Sequence, residues 1–150
     1  MATFISTSPE ETLKLGERWG REARPGWVIA LSGDLGSGKT QLVKGIALGL
    51  GVTDRVHSPS FVLLNEYNGG RWPLFHLDLY RLETREQIIR AGLEACFDQP
   101  EGITVIEWAE RWFSRASKLE GRESSWRLRR VGLEVLSERE RRIVYEDFGP

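Results

Sequence analysis

The segment that most constrains the fold of this chain is residues 33–40, which read Gly-Asp-Leu-Gly-Ser-Gly-Lys-Thr. The run matches the pattern G-x-x-x-x-G-K-[ST], in which glycines turn the backbone so that its N–H groups point at phosphate oxygens. An apolar run at residues 27–31 precedes it, and a stretch with apolar residues along one helical face follows it. A strand, a phosphate-binding loop and a helix in this order predict a P-loop nucleotide-binding fold.

Two side chains of this loop have chemistry suited to a nucleotide and its metal ion. Lys39 can place a positive charge on the β- and γ-phosphates, and Thr40 offers the hard oxygen that Mg²⁺ prefers. We therefore expect ATP and Mg²⁺ as ligands, and adenine is favoured because the sequence has no Asn-Lys-x-Asp guanine-reading motif. The predicted nucleotide-binding residues here are Gly33, Asp34, Leu35, Gly36, Ser37, Gly38, Lys39, Thr40 and Gln41.

A P-loop ATPase also needs an acidic residue at the end of a neighbouring strand, where it holds Mg²⁺ or its waters. Two predicted strands end on such a residue, one at Asp78 and one at Glu107. On periodicity alone, we expect the strand that ends at Glu107 to be the more buried. At least one carboxylate should serve the site, and which of them touches the metal directly stays open. His76 shares a strand face with Asp78, where a structural role is favoured over a catalytic one.

Predicted helices and strands alternate along the chain, which is typical of an α/β fold with a largely parallel central sheet. We predict a single P-loop NTPase domain over residues 1–150, flanked by helices and extended by antiparallel strands at the edge. The predicted segments are a helix from a Ser8 capping box to before Pro25, a strand at 27–31, a helix ending at Gly51, a hairpin of strands 61–67 and 72–79, a helix from a Thr84 capping box through Leu93, a strand at 103–107, a short helix at 109–118 and strands at 128–135 and 142–148.

Composition excludes several other classes of protein. A formal net charge of −1 at pH 7 argues against a dedicated nucleic-acid binder, which is usually basic. The single cysteine, Cys96, rules out an internal disulfide and suits a reducing cytosol. The sequence contains no signal peptide and no apolar run of about 20 residues that could span a bilayer. We therefore expect a cytoplasmic protein without membrane contact.

With these residues in view, the chain resembles the TsaE (YjeE) family, bacterial ATPases needed to make threonylcarbamoyladenosine in tRNA. The resemblance covers about residues 8–110, and the tail from residue 111 matches poorly. It departs at Ser60, where the family has threonine, and at Ala109, where proline is frequent. The segments that carry it are the loop at 33–40, Ser58-Pro59-Ser60-Phe61, His76-Leu77-Asp78-Leu79-Tyr80-Arg81 and Glu107-Trp108.

The resemblance implies a role for each matching residue. Lys39 and the loop backbone would bind the phosphates, while Thr40 and Glu107 would ligate Mg²⁺. Asp78 would polarise water or hold a metal-bound water beside the γ-phosphate, so the implied catalytic residues are Asp78, Glu107 and Lys39. Residues 58–61, with Ser60, would sense the γ-phosphate, and Trp108 would position the nucleotide site or a partner contact. Residues 8–11 would lie near the nucleobase.

The resemblance also implies protein partners. TsaD and TsaB, which complete transfer of the threonylcarbamoyl group to tRNA, would bind this chain, and tRNA would be reached only indirectly. ATP hydrolysis would reset that complex and would be slow without it. The oligomeric state stays open.

Two other functions use the same loop. One is a small-molecule kinase, although no arginine-bearing lid is evident in the sequence; the other is a nucleotide-loaded regulatory binding module. A cluster of arginines in the tail favours a solvated strand face over a partner or tRNA contact. Its members are Arg127, Arg129, Arg130, Arg139, Arg141 and Arg142.

Overall fold

The computed structural model of the chain describes residues 1–59, 62–113 and 127–149. These residues form one α/β domain around a seven-stranded mixed sheet, whose strand order is β1-β7-β6-β2-β5-β4-β3. The strands are β1 (Ala2–Ser6), β2 (Trp27–Ser32), β3 (Leu64–Tyr67), β4 (Leu74–Asp78), β5 (Ile103–Glu107), β6 (Arg127–Val135) and β7 (Arg141–Phe148). The helices are α1 (Pro9–Glu22), α2 (Lys39–Leu50) and α3 (Arg85–Arg90), with 3-10 turns at Glu94–Cys96 and Ala109–Arg111.

The centre of the sheet is parallel and its edges are antiparallel, as predicted. Strands β4, β5, β2 and β6 pair in parallel, whereas β3 pairs antiparallel with β4, and β7 pairs antiparallel with both β6 and β1. In this register Leu31 lies opposite Glu107, and Glu107 lies opposite Asp78. The end of β2 and both candidate carboxylates therefore lie side by side at the carboxyl ends of the parallel strands.

Apolar residues cover both faces of the sheet. Ile29 and Leu31 of β2 face a core shared with α1 and α2, and Val28 and Ala30 face a second core with α3 and the 3-10 turns. These four side chains of β2 are each at most 2% exposed. Strand β2 is therefore buried on both sides, as the uninterrupted apolar run at residues 27–31 predicts.

Helices α1 and α2 cross with their backbones in contact, because glycines line both sides of the crossing. A Cβ atom added at Gly45 would lie 2.1 Å from the carbonyl oxygen of Leu13, and one added at Gly16 would lie 2.3 Å from the carbonyl oxygen of Leu42. Side chains of ordinary size would push the two helices apart. The crossing therefore fixes the start of α1 beside the start of α2, where the P-loop ends.

The two predicted capping boxes are present. The N–H of Glu11 donates to the Ser8 hydroxyl (3.2 Å), and the Glu11 carboxylate accepts from the N–H of Thr7 (2.7 Å) rather than from that of Ser8. This contact with Thr7 lowers the pKa of Glu11. The Thr84 and Gln87 box is built in the same way. Both helices therefore begin where the sequence predicts.

Several predicted boundaries differ from those in the structure. Strand β3 begins at Leu64 and not at residue 61, because Leu63 adopts φ 71°, which is not an extended conformation. Residues 60 and 61 lie outside the described part of the chain. The predicted strand at 72–79 is the shorter β4. The prediction that α3 reaches Leu93 was wrong, because Gly92 with φ 77° follows a helix that stops at Arg90.

Two further differences lie near the ends of the sheet. The predicted helix at residues 109–118 is only a 3-10 turn at Ala109–Arg111 within the residues that the structure describes. Strand β1 was not predicted, and it pairs with β7 from Ala2 to Ser6. No helix in residues 1–59, 62–113 and 127–149 is both long and apolar enough to cross a membrane.

Candidate nucleotide-binding site

The P-loop connects the end of β2 to the start of α2. Gly36 and Gly38 have φ values of 77° and 102°, in the left-handed region that a residue with a Cβ atom rarely adopts. Gly38 is the N-cap of α2 and has no side chain with which to cap the helix. The first amides of α2 are thus left uncapped by the residue before them, which makes this helix start suitable for an anion.

The Lys39 side chain lies folded against the loop and is only 5% exposed. Its amine donates to the carbonyl oxygens of Gly33 and Asp34, the latter at 3.0 Å, and lies 4.1 Å from the centre of the Trp108 ring. Burial lowers the pKa of Lys39, although four neighbouring carboxylates oppose that shift. The cation is therefore held by weak acceptors that a phosphate group could replace.

Glu107 is held at both of its carboxylate oxygens. The Thr40 hydroxyl donates to Oε1 (2.9 Å), and Nε2 of His76 lies 2.5 Å from Oε2. Glu107 is 2% exposed and His76 is fully buried. Because Nδ1 of His76 has no hydrogen-bond partner, the proton of a neutral ring is best assigned to Nε2, where it is donated to Glu107. His76 therefore orients the carboxylate toward Thr40.

Asp78 is the second buried carboxylate at the carboxyl ends of the parallel strands. Its Oδ2 accepts from the Ser58 hydroxyl (2.6 Å), and its Oδ1 accepts from the N–H of Tyr80 (2.9 Å). It is 2% exposed, as Glu107 is. Of the two carboxylates, Glu107 is the one that bonds to Thr40, whereas Asp78 is tied to the segment that contains Ser58.

These groups open into one cleft of about 540 Å³. Trp108 forms part of its wall, with its own backbone in the left-handed region at φ 58° and its ring 4.9 Å from that of Tyr80. The cleft also reaches α1 and the turn between β6 and β7. Its lining residues are Pro9, Thr12, Leu35, Gly36, Ser37, Gly38, Lys39, Thr40, Gln41, Ser58, Asp78, Tyr80, Glu107, Trp108, Arg139 and Arg141.

Comparison with known protein families identifies the family of this chain. A family model described as threonylcarbamoyl adenosine biosynthesis protein TsaE matches residues 6–142. The chain belongs to the TsaE family. Its match continues well past residue 110, where the resemblance was expected to end, and it includes strand β6 and the turn that follows it.

Individual TsaE proteins and one solved structure are similar over much of the chain. The chain is 47% identical to the TsaE protein of Nostoc sp. over 114 residues, which cover 74% of this chain and 70% of that protein. It is 43% identical to the TsaE protein of Bacillus subtilis over 104 residues, which cover 69% of this chain and 64% of that protein. A crystal structure of Bacillus subtilis YdiB aligns with a TM-score of 0.76 and 31% identity, covering 99% of this chain and 86% of that one.

Most residues predicted for the nucleotide site line the same cleft in this TsaE-family chain. Gly33 and Asp34 do not line it and instead bind the Lys39 amine through their carbonyl oxygens. Ser60 lies outside the described residues. The predicted cleft residues that the structure brings together are Leu35, Gly36, Ser37, Gly38, Lys39, Thr40, Gln41, Asp78, Glu107 and Trp108.

Two of the tail arginines differ from the solvated strand face that the sequence favours, whereas Arg127, Arg139 and Arg142 are exposed. Arg129 is only 11% exposed and stacks over the rings of Trp19 and Tyr145, each at 4.8 Å. Arg141 donates to the carbonyl oxygen of Gly36 in the P-loop (3.0 Å). Sequence reasoning missed this contact because nothing local to the tail indicates that its turn lies beside the P-loop.

Proposed function

We propose that the chain binds ATP with Mg²⁺ and hydrolyses it as a component of the machinery that makes threonylcarbamoyladenosine in tRNA. The observation that carries the proposal is the convergence of Lys39, Thr40 and Glu107 in one cleft at the end of a P-loop. Membership of the TsaE family supports the pathway.

The donor set fits Mg²⁺. This ion takes hard oxygen ligands and commonly uses one or two carboxylates together with substrate phosphates. The Thr40 hydroxyl and Glu107 Oε1 lie 2.9 Å apart, so both oxygens can face one small ion once the bond between them opens. When bound, the ion would supply neutralisation of phosphate charge.

Two side chains of the cleft would act on the phosphates and on the attacking water. Lys39 would leave the carbonyl oxygens of its own loop and donate to phosphate oxygens, where its charge offsets the charge that builds up during transfer. Asp78, held by Ser58 and by the N–H of Tyr80, would orient a water toward the γ-phosphate. Water would attack the γ-phosphorus, the bond from that phosphorus to the β–γ bridging oxygen would break, and ADP, inorganic phosphate and a proton would be released.

Two lysine substitutions in α2 test nucleotide binding. We expect Lys39→Ala to weaken Mg²⁺–ATP binding by about 10- to 150-fold, because a charge-assisted contact is worth about 1.5–3 kcal/mol. Lys44→Ala is the matched control, since Lys44 is exposed on the same helix. Calorimetric titration measures both variants, and an unchanged affinity in Lys39→Ala would refute the proposal.

Hydrolysis and partner binding are tested separately. Glu107→Gln should reduce phosphate release far more than ATP affinity.

The proposed partners are TsaD and TsaB, with tRNA reached only through them in the cytoplasm. Capture of purified TsaD and TsaB should depend on ATP. If capture in Glu107→Gln equals that of the wild type and tRNA modification also survives, the chain acts as a nucleotide-loaded binding module and not as an ATPase.

Phosphoryl transfer to an added metabolite, measured in place of phosphate release to water, would instead indicate a small-molecule kinase.

A further inference from the structure

The carboxylate of Glu110 contacts the P-loop from outside the cleft. Glu110 lies in the 3-10 turn at Ala109–Arg111, which follows β5 directly after Trp108. The backbone of Trp108 is left-handed at this point, and the Glu110 carboxylate accepts a hydrogen bond from the N–H of Gly33 (3.3 Å). Glu110 is exposed and does not line the cleft. The nucleotide and metal contacts proposed above therefore leave this carboxylate without a role.

Gly33 connects Glu110 to Lys39. Its N–H donates to the Glu110 carboxylate, and its carbonyl oxygen accepts from the Lys39 amine. Gly33 is also closely packed, because a Cβ atom added there would lie 2.6 Å from the Ser37 hydroxyl oxygen and 2.7 Å from the carbonyl oxygen of Leu133. One tightly held residue therefore separates the negative charge of Glu110 from the positive charge of Lys39.

The charge of Glu110 acts on the Lys39 amine. Burial lowers the pKa of Lys39, and among the carboxylates that oppose this shift Glu110 acts most strongly, ahead of Glu107 and Asp78. Opposite charges at short range attract each other, and salt screens that attraction less where one partner is partly buried. Glu110 therefore stabilises the Lys39 amine at the carbonyl oxygens of its own loop.

A bound nucleotide would change the sign of this interaction. Lys39 has to leave the loop carbonyl oxygens to reach the phosphates, and Mg²⁺–ATP carries a net negative charge that Glu110 repels. The charge of Glu107 would be offset by the ion that it holds, whereas Glu110 has no such ion in the proposed site. Both the attraction for Lys39 and the repulsion of phosphate therefore oppose nucleotide binding.

We propose that Glu110 is a positioning residue that holds Lys39 against the P-loop and so favours release of the nucleotide. The inference rests on the proposed function, because it needs a nucleotide in the P-loop. The hydrogen bond from Gly33 fixes where the carboxylate lies, and the charge of that carboxylate lowers the affinity. Neutralising Glu110 therefore raises the affinity for Mg²⁺–ATP.

Glu110→Gln tests the inference, because it removes the charge and keeps an oxygen that can accept from the N–H of Gly33. In calorimetric titration at low salt, we expect this variant to bind Mg²⁺–ATP about 2- to 5-fold more tightly than the wild type, the range of an exposed charge pair. At about 1 M salt, where the Debye length is about 3 Å, the difference should largely disappear. Glu66→Gln is the matched control, since Glu66 is exposed on β3, three strands away from β2.

The outcomes separate this inference from the proposed function. Equal or weaker binding by Glu110→Gln, compared with a wild type that binds Mg²⁺–ATP, would overturn only the role of Glu110. A gain that persists at about 1 M salt would mean a structural effect, and an equal gain in Glu66→Gln would mean a general effect of net charge; both overturn it. If the wild-type chain does not bind Mg²⁺–ATP, the proposed function itself fails and this inference fails with it.

Discussion

The crossing of α1 and α2 leads to a prediction whose size can be worked from distances. Gly45→Ala adds a Cβ atom 2.1 Å from the carbonyl oxygen of Leu13, and contacts below 3.0 Å are essentially never seen for real Cβ atoms. The two helices must therefore separate by at least about 0.9 Å at this point. The obstructing atoms are backbone atoms of α1, so no side-chain rotation can relieve the contact.

Two opposing terms set the magnitude of the effect. Overpacking typically costs about 1–3 kcal/mol, and the upper part of that range applies where the neighbour is backbone. Alanine returns about 1 kcal/mol because it favours the helix more than glycine does. We expect Gly45→Ala to lower the free energy of unfolding by about 2 kcal/mol, which corresponds to a fall in Tm of about 4–8 °C for a domain of this size.

Urea denaturation followed by circular dichroism measures the free energy of unfolding. Gly69→Ala is the matched control, because no atom lies within 4 Å of a Cβ added there and its φ is not in the left-handed region. That variant should change stability by less than about 0.5 kcal/mol. If Gly45→Ala proves as stable as Gly69→Ala, the helices are not in backbone contact and the reasoning fails.

Two further predictions concern buried and ionic contacts. Because His76 orients Glu107 through one oxygen, His76→Asn should lower kcat for ATP hydrolysis by about 10- to 100-fold with little change in ATP affinity, a split that phosphate-release assays and calorimetry resolve; equal losses in both would contradict an orienting role. The pKa of Asp147 is lowered chiefly by hydrogen bonds from Arg129, so its stabilisation is present above about pH 4 and is lost as the pH falls through the lowered value. Asp147→Asn should therefore reduce Tm near neutral pH and have no effect in strong acid, and a deficit that persists in acid would refute this linkage.

The parts of the molecule that could be predicted are those determined by neighbours in sequence. The P-loop follows from the spacing of its glycines and Lys39, and both capping boxes follow from residues three apart. Strand β2 follows from the uninterrupted apolar run at residues 27–31. In each case the chemical signal and the structure that it forms lie within about ten residues.

The parts that could not be predicted depend on distant pairing. Strand β1 is mostly exposed, so its sequence has little apolar pattern, and it becomes a strand only because β7 provides hydrogen-bond partners. Arg141 reaches Gly36 because β6 pairs in parallel with β2 in a particular register. Neither pairing leaves a mark in the local sequence. His76 shares this limitation, since its contact with Glu107 crosses between two strands.

The pairing of β1 with β7 has a consequence for synthesis. The ribosome makes β1 before the other strands of this sheet and β7 after them, so β1 has no partner until β7 has emerged. Until β6 emerges, one edge of β2 also lacks its partner, and the P-loop lacks the arginine that fastens the neighbouring turn. A nascent chain in which β7 has not yet emerged therefore carries the P-loop without the turn whose arginine contacts Gly36.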